Sequence, residues 1–134
     1  MRILALDYGS RRLGVAVSDP TGTLARPLEA VERVGTPDGL AALLAIVARE
    51  EPELIIVGLP RLPSGGAGRQ AGAAMAFAGR LRGQVSVPIE LEDERFTTTI
   101  AERSAERTST SSSLDSRAAA VLLQGVLDRR SASS

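Results

Sequence analysis

Apolar positions along the chain change period several times, and each change marks the border of an element. Arg2 to Tyr8 (RILALDY) has the apolar density of a buried strand, and Arg12 to Ser18 (RLGVAVS) repeats it after a turn at Gly9-Ser10-Arg11, which predicts a hairpin. A third extended segment runs from Leu24 to Val31 after a turn at Asp19-Pro20-Thr21-Gly22. Pro37-Asp38 then opens a stretch with Leu40, Leu43, Leu44 and Val47 at helical spacing, and Asp38 suits the positive end of the helix. Glu53 to Gly58 (ELIIVG) is a short buried strand, joined most economically to the first strand in parallel with that helix as the crossover.

The second half reads less sharply. A Pro- and Gly-rich loop, Leu59 to Gly68, precedes an Ala-rich helix from Arg69 to Arg82 and a strand from Val85 to Leu91. Thr98 to Arg107 predicts a polar helix, Thr108 to Ser113 a flexible low-complexity loop, and Leu114 to Asp128 an apolar-faced final helix. The length suits one domain over residues 1–130, with a frayed tail at 131–134. This order of elements predicts an α/β fold: a five-stranded mixed sheet, a three-strand meander followed by parallel strands, with helices on both faces.

Composition then narrows the chemistry. Cysteine and histidine are both absent, which removes thiol nucleophiles, zinc-thiolate sites and the usual neutral-pH general base. Carboxylates must therefore carry any catalysis. With one Tyr and two Phe, the chain lacks the aromatics of a base-stacking platform. All sixteen basic residues are Arg, whose planar fork suits phosphate, but the net charge of zero gives no global pull toward nucleic acid. No apolar run approaches a membrane span, and the chain enters its first strand without a signal-peptide pattern, so the expectation is a cytoplasmic protein with no membrane partner.

Asp7 ends the apolar run ILAL in a strand expected to be central, where a carboxylate is costly unless paired or bound to a metal. A turn aspartate capping Gly9-Ser10 is the simpler alternative. Asp93 and Glu94 follow a strand and Asp115 sits in the first turn of the last helix, so all stand at element ends where a site can converge. Two divalent cations about 3.5–4 Å apart need several carboxylates around one point. Each residue also has a plain role open to it: Glu94 beside Arg95 or Arg103, and Asp115 as a carboxylate at a helix N-terminus. Asp19 tests the geometry, because a hairpin pairing Asp7 with Gly14 puts Asp19 opposite Arg2, roughly 17 Å along the ladder, in a structural role. Arg11, Arg12, Arg61, Arg69, Arg95 and Arg117 lie in or beside the loops expected near the carboxylates and are candidate phosphate contacts. The run SGGAG lacks the Lys-Ser/Thr of a P-loop.

Four segments in order, LALDYGSRRLGVAVSD, IIVGLPRLPSGGAGRQA, LEDERFTTTIAE and SLDSRAAAVLLQGVLD, resemble the YqgF family, the Holliday junction resolvase or pre-16S rRNA nuclease family. The resemblance spans nearly the whole chain. It implies an RNase H-like fold, Mg2+ or Mn2+ dependence, hydrolysis of nucleic acid, and a catalytic and metal-binding set of Asp7, Asp93, Glu94 and Asp115. The family usually carries a basic stretch before the final motif, where this chain has TSTSSS, and Phe96 stands where the family commonly has Leu. The expected activity is a metal-dependent nuclease in pre-16S rRNA 5′ end processing. A Holliday junction resolvase and a non-catalytic module binding nucleic acid or a ribosomal or transcription partner are the alternatives. The partner is an RNA precursor or branched DNA, and the chain works as a monomer or a homodimer. A nucleotide-hydrolysing reading of the actin and sugar-kinase type needs two lobes, and this length supplies one.

Overall fold

The structure, a computed structural model, describes residues 1–9, 12–59, 69–93 and 111–133. The elements in chain order are β1 (Ile3–Tyr8), β2 (Arg12–Ser18), β3 (Ala25–Pro27), β4 (Val31–Glu32), α1 (Pro37–Glu50), β5 (Leu54–Leu59), α2 (Arg69–Arg82), β6 (Ile89–Asp93) and α3 (Ser111–Ser133). The sheet order is β3-β2-β1-β5-β6, with β4 also paired to β2. β1 and β2 are antiparallel with Asp7 opposite Gly14, the register expected from the hairpin. β5 lies parallel to β1 and β6 parallel to β5, so the meander followed by parallel strands is present.

The third extended segment is two strands, which raises the count to six. β3 pairs with Ala16 to Ser18 of β2, and β4 with Arg12 and Leu13. Pro27 cannot donate to the ladder and closes β3. Between the two pieces, the Val15 carbonyl accepts from Leu28 N at 2.8 Å, and the Val15 N–H donates to Ser116 Oγ of α3 at 3.4 Å. A helix hydroxyl thus replaces the missing strand.

α1 begins where sequence chemistry says it must. Thr36 Oγ1 accepts from Gly39 N at 3.1 Å as the N-cap, with Pro37 beginning the helix, a capping arrangement worth about 1 kcal/mol. The helix ends on Glu51 in the left-handed region, φ 49°. Two other borders differ from expectation. Val85–Pro88 lies outside the strand, and β6 instead extends through Asp93. α3 starts at Ser111 and reaches Ser133, so Ser111 to Ser113 is helix rather than loop, Asp115 is in the second turn rather than the first, and the helix continues well past Asp128. The expected helix Thr98 to Arg107 lies outside the described residues.

Helices cover both faces. Leu4, Leu6, Leu13, Val15, Ile55 and Val57 face α1 and α2, meeting Leu43, Ile46, Phe77 and Leu81. Ile3, Ala5, Ala16, Leu54 and Ile56 face α3, meeting Ala119, Leu123, Val126 and Leu127. Burying each of the larger aliphatic side chains contributes roughly 1.5–3 kcal/mol. Small residues on β1 and β2 let α3 lie close, and Gln124 anchors it to the edge by accepting from Ala25 N and donating to Thr23 O, both at 2.9 Å. Among the described residues, no helix is long and apolar enough to cross a membrane.

Candidate active site

Strand alternation decides which acids can meet. Ile3 and Ala5 of β1 face α3, so Asp7 continues that face. Its register neighbours are Gly14 on β2 and Gly58 on β5, so the two residues directly opposite it carry no side chain. Asp7 is part-buried on the strand at the middle of the sheet.

The second acid arrives on α3. A Cβ built on Gly14 would come 1.9 Å from the Asp115 carbonyl oxygen, so only glycine lets the helix backbone cross β2 at this point. That crossing sets Asp115 over the strand directly beside Asp7. Burial pushes the Asp115 carboxyl above its ordinary range; the Arg12 charge pulls it down, and the Asp7 charge pushes it further up. The three groups therefore share one electrostatic environment. Two acids whose charges act on each other favour a cation between them, and their hard oxygen donors suit a divalent ion of the magnesium class. Among the described residues, no group of three or more potential metal ligands closes on one point.

Asp93 is placed differently. Ile89 and Leu91 of β6 pack toward α1 and α2, whereas Glu90 and Glu92 face α3, where Arg130 and Arg129 pair with them. Asp93 follows the apolar parity, one register step beyond the row Gly14-Asp7-Gly58-Glu92. Asp115 therefore lies within electrostatic reach of Asp7, and strand alternation puts Asp93 in register with Leu59, in the same parity as Ile89 and Leu91. Glu94 lies outside the described residues.

Of the arginine candidates, Arg12 is at the site, with Nε donating to Glu32 Oε1 at 3.2 Å. Arg117 is exposed, and two residues along a helix is a rotation of about 200°, which turns it from Asp115. Arg69 begins α2, and its side chain, like the whole of Arg11, Arg61 and Arg95, lies outside what the structure describes. Sequence reasoning missed Glu32 and Ser116, which hold Arg12 and the neighbouring β2 backbone. It found Asp19 correctly as structural: Oδ1 accepts from Thr23 N at 2.8 Å and Leu24 N at 2.9 Å, and Thr21 Oγ1 donates to Oδ2.

Residues 1–129 match the family model described as RuvX, Holliday junction resolvase. The chain belongs to the RuvX family. A protein of Moorella thermoacetica named "Putative pre-16S rRNA nuclease" is 42% identical, over 96% of each chain. One of Rhodococcus erythropolis with the same name is 43% identical, over 97% of this chain and 79% of its own. Among solved structures, Thermus thermophilus RuvC in complex with a Holliday junction substrate superposes with a TM-score of 0.63 at 18% identity, covering 100% of this chain and 98% of that one. The fowlpox virus Holliday junction resolvase gives 0.58 at 11% identity, covering 96% and 99%. The RuvX chain thus has the resolvase fold over its whole length, the RNase H-like arrangement that the four motifs implied.

Proposed function

We propose that this RuvX-family protein is a divalent-metal-dependent nuclease that hydrolyses phosphodiester bonds in nucleic acid, acting in the cytoplasm on the 5′ end of pre-16S rRNA. The observation that carries the reading is the Asp7 and Asp115 pair assembled over Gly14, with one carboxyl held toward its protonated form by burial and by the other's charge. Mg2+ or Mn2+ fits this donor set, and when bound supplies Lewis-acid charge to the scissile phosphate. Asp7 fixes its oxygens from the central strand, and Asp115 brings a second carboxylate on a helix locked to the sheet by Ser116 and Gln124. Arg12 offers a charged fork to a phosphate oxygen beside them. The DER motif supplies a third carboxylate, from Asp93 or Glu94. The whole chain acts as one domain.

The relatives named for pre-16S rRNA support the RNA substrate. The likeness to RuvC across the full chain supports a second reading, Holliday junction resolution. Stoichiometry separates them, because a symmetric junction cut needs two active sites and hence a homodimer, whereas trimming one RNA end needs a single site. The deciding experiment measures solution mass alongside cleavage of a pre-16S RNA fragment and of a four-way junction, with Mn2+ and with chelator. The expected result is metal-dependent RNA cleavage by a monomer. Symmetric junction resolution by a stable dimer, with no action on RNA, would overturn the assignment. Nucleic-acid binding without cleavage under any metal would identify a non-catalytic module.

A further inference from the structure

β4 is only two residues long, and its position is unusual. The third extended segment breaks after Pro27 and rejoins β2 at Val31–Glu32, pairing Glu32 with Arg12 and Val31 with Leu13. The break leaves the Val15 N–H without a strand partner, so that Ser116 must take it. What the rejoined strand contributes is one side chain at the mouth of the site: Glu32 Oε1 accepts from Arg12 Nε at 3.2 Å. The bond uses Nε alone. Among the described residues, the two terminal nitrogens of Arg12 make no hydrogen bond, although Arg12 is close enough to Asp115 for its charge to act on that carboxyl.

An arginine side chain has several rotors and loses considerable freedom when fixed. An exposed ion pair such as this one adds little to fold stability, since Glu32 is 68% exposed and Arg12 28%. Stability therefore gives no reason for an acid here. An acid beside a phosphate-binding cation would also weaken attraction of a nucleic-acid backbone. Orientation is the one property that Glu32 improves, because anchoring Nε fixes the guanidinium plane and presents the fork formed by its other two nitrogens.

We propose that Glu32 is a positioning residue for phosphodiester hydrolysis: it anchors Arg12 through Nε so that the free edge of the guanidinium meets a non-bridging oxygen of the scissile phosphate beside Asp7 and Asp115. The inference rests on the nuclease reading above for its substrate. The anchoring itself is a property of the protein alone.

The test combines turnover with a side-chain probe. Single-turnover cleavage with Mn2+ would compare wild type, Glu32→Gln, Glu32→Asp, Arg12→Gln and the double variant Arg12→Gln/Glu32→Gln, all first shown to melt as folded proteins. Glu32→Gln should lower kcat roughly three- to tenfold, as a loosened catalytic contact does, with KM unchanged or lower because an acid near the phosphate has gone. Glu32→Asp should recover part of that loss. Arg12→Gln should cost more, raise KM, and reduce the salt slope of binding by about one counterion. The double variant should be no slower than Arg12→Gln. Independently, the Arg12 Nε–H resonance of the metal-free protein should show slowed solvent exchange that Glu32→Gln abolishes. A Glu32→Gln protein that turns over as fast as wild type or faster, or effects that simply add in the double variant, would overturn the proposal. If the wild type cuts no nucleic acid while the Nε–H protection still depends on Glu32, the nuclease reading fails and the anchoring stands; absence of that protection refutes the anchoring whatever the activity.

Discussion

At one end of β2, Asp19 sits in a turn where Thr21 Oγ1 and the N–H groups of Thr23 and Leu24 all donate to its carboxylate, holding it well below the usual range. Toward the other end, Asp115 crosses Gly14 with Asp7 beside it, and burial pushes its carboxyl up. Glu50 repeats the first pattern. It is 7% exposed, yet although burial pushes its carboxyl upward, Arg49 and Arg2, each donating at 2.8 Å, more than offset that and hold it down. One end of the sheet neutralises both of these acids with partners from the chain. The other brings two acids within electrostatic reach of each other and, on balance, disfavours the charge on Asp115, as functional sites do at the expense of stability.

The sharpest way to break this contrast is Asp7→Asn. The amide is nearly isosteric, so the fold should persist while metal binding and cleavage are abolished. Calorimetric titration with Mn2+, run beside the cleavage assay, checks both. Unchanged turnover in this variant would end the assignment of the site.

Gly14→Ala attacks the geometry rather than the charge. Its Cβ would need the space 1.9 Å from the Asp115 carbonyl oxygen, and both partners are backbone, so α3 must move off the sheet. Overpacking of this kind costs about 1–3 kcal/mol or more. A lowered denaturation midpoint should therefore come with weakened Mn2+ binding. Wild-type values for both would show that the helix does not cross where Asp115 is placed.

How much of this was legible beforehand follows from what each signal encodes. The hairpin register fell out of a short turn between two apolar runs, and with it the pairing of Asp7 with Gly14. The splitting of the third strand did not, because a local pattern cannot show that a helix hydroxyl will take over the Val15 donor. For the acids, IELED carries an alternation that could have been read: Ile89 and Leu91 on one face put Glu90 and Glu92 on the other and Asp93 with the apolar pair. Ser111 to Ser113 misled in the other direction, since low intrinsic helicity was overridden by the tertiary packing of the helix that follows. Glu32 was invisible because its meaning depends on pairing with Arg12 across the edge of the sheet.

Asp115→Asn should sharpen the comparison through pH. The folded protein raises this carboxyl, so the protonated form is the one the fold favours: its stabilising contribution is present below the ordinary carboxyl value and lost as pH rises through the raised one. At neutral pH, the ionised group is a net cost in the metal-free protein. The variant should consequently melt higher in chelator at pH 7, by a few degrees at most because Asp115 is still partly solvated. The gain should disappear near pH 3, and Mn2+ should stabilise the wild type alone. A variant that melts lower than wild type at pH 7 in chelator would mean that Asp115 is satisfied within the chain.

The smallest effect is expected at Asp19→Asn. Here the folded protein lowers the carboxyl, chiefly through the Thr21 hydroxyl and then the Leu24 and Thr23 N–H groups, so the sign reverses: stability is present above the ordinary carboxyl value and lost as pH falls through the depressed one. An amide keeps one oxygen for Thr23 and Leu24 but gives up the charge that strengthens all three bonds. The variant should melt slightly below wild type at pH 7, with the difference closing as the solution is acidified and the wild-type carboxylate is itself protonated. Because Asp19 lies along β2 from Gly14 and touches neither Asp7 nor Asp115, Mn2+ affinity and cleavage should stay at wild-type levels. A loss of metal binding in Asp19→Asn, with the melting temperature unchanged, would place a cation at the wrong end of the sheet and dissolve the division between a satisfied end and a working one.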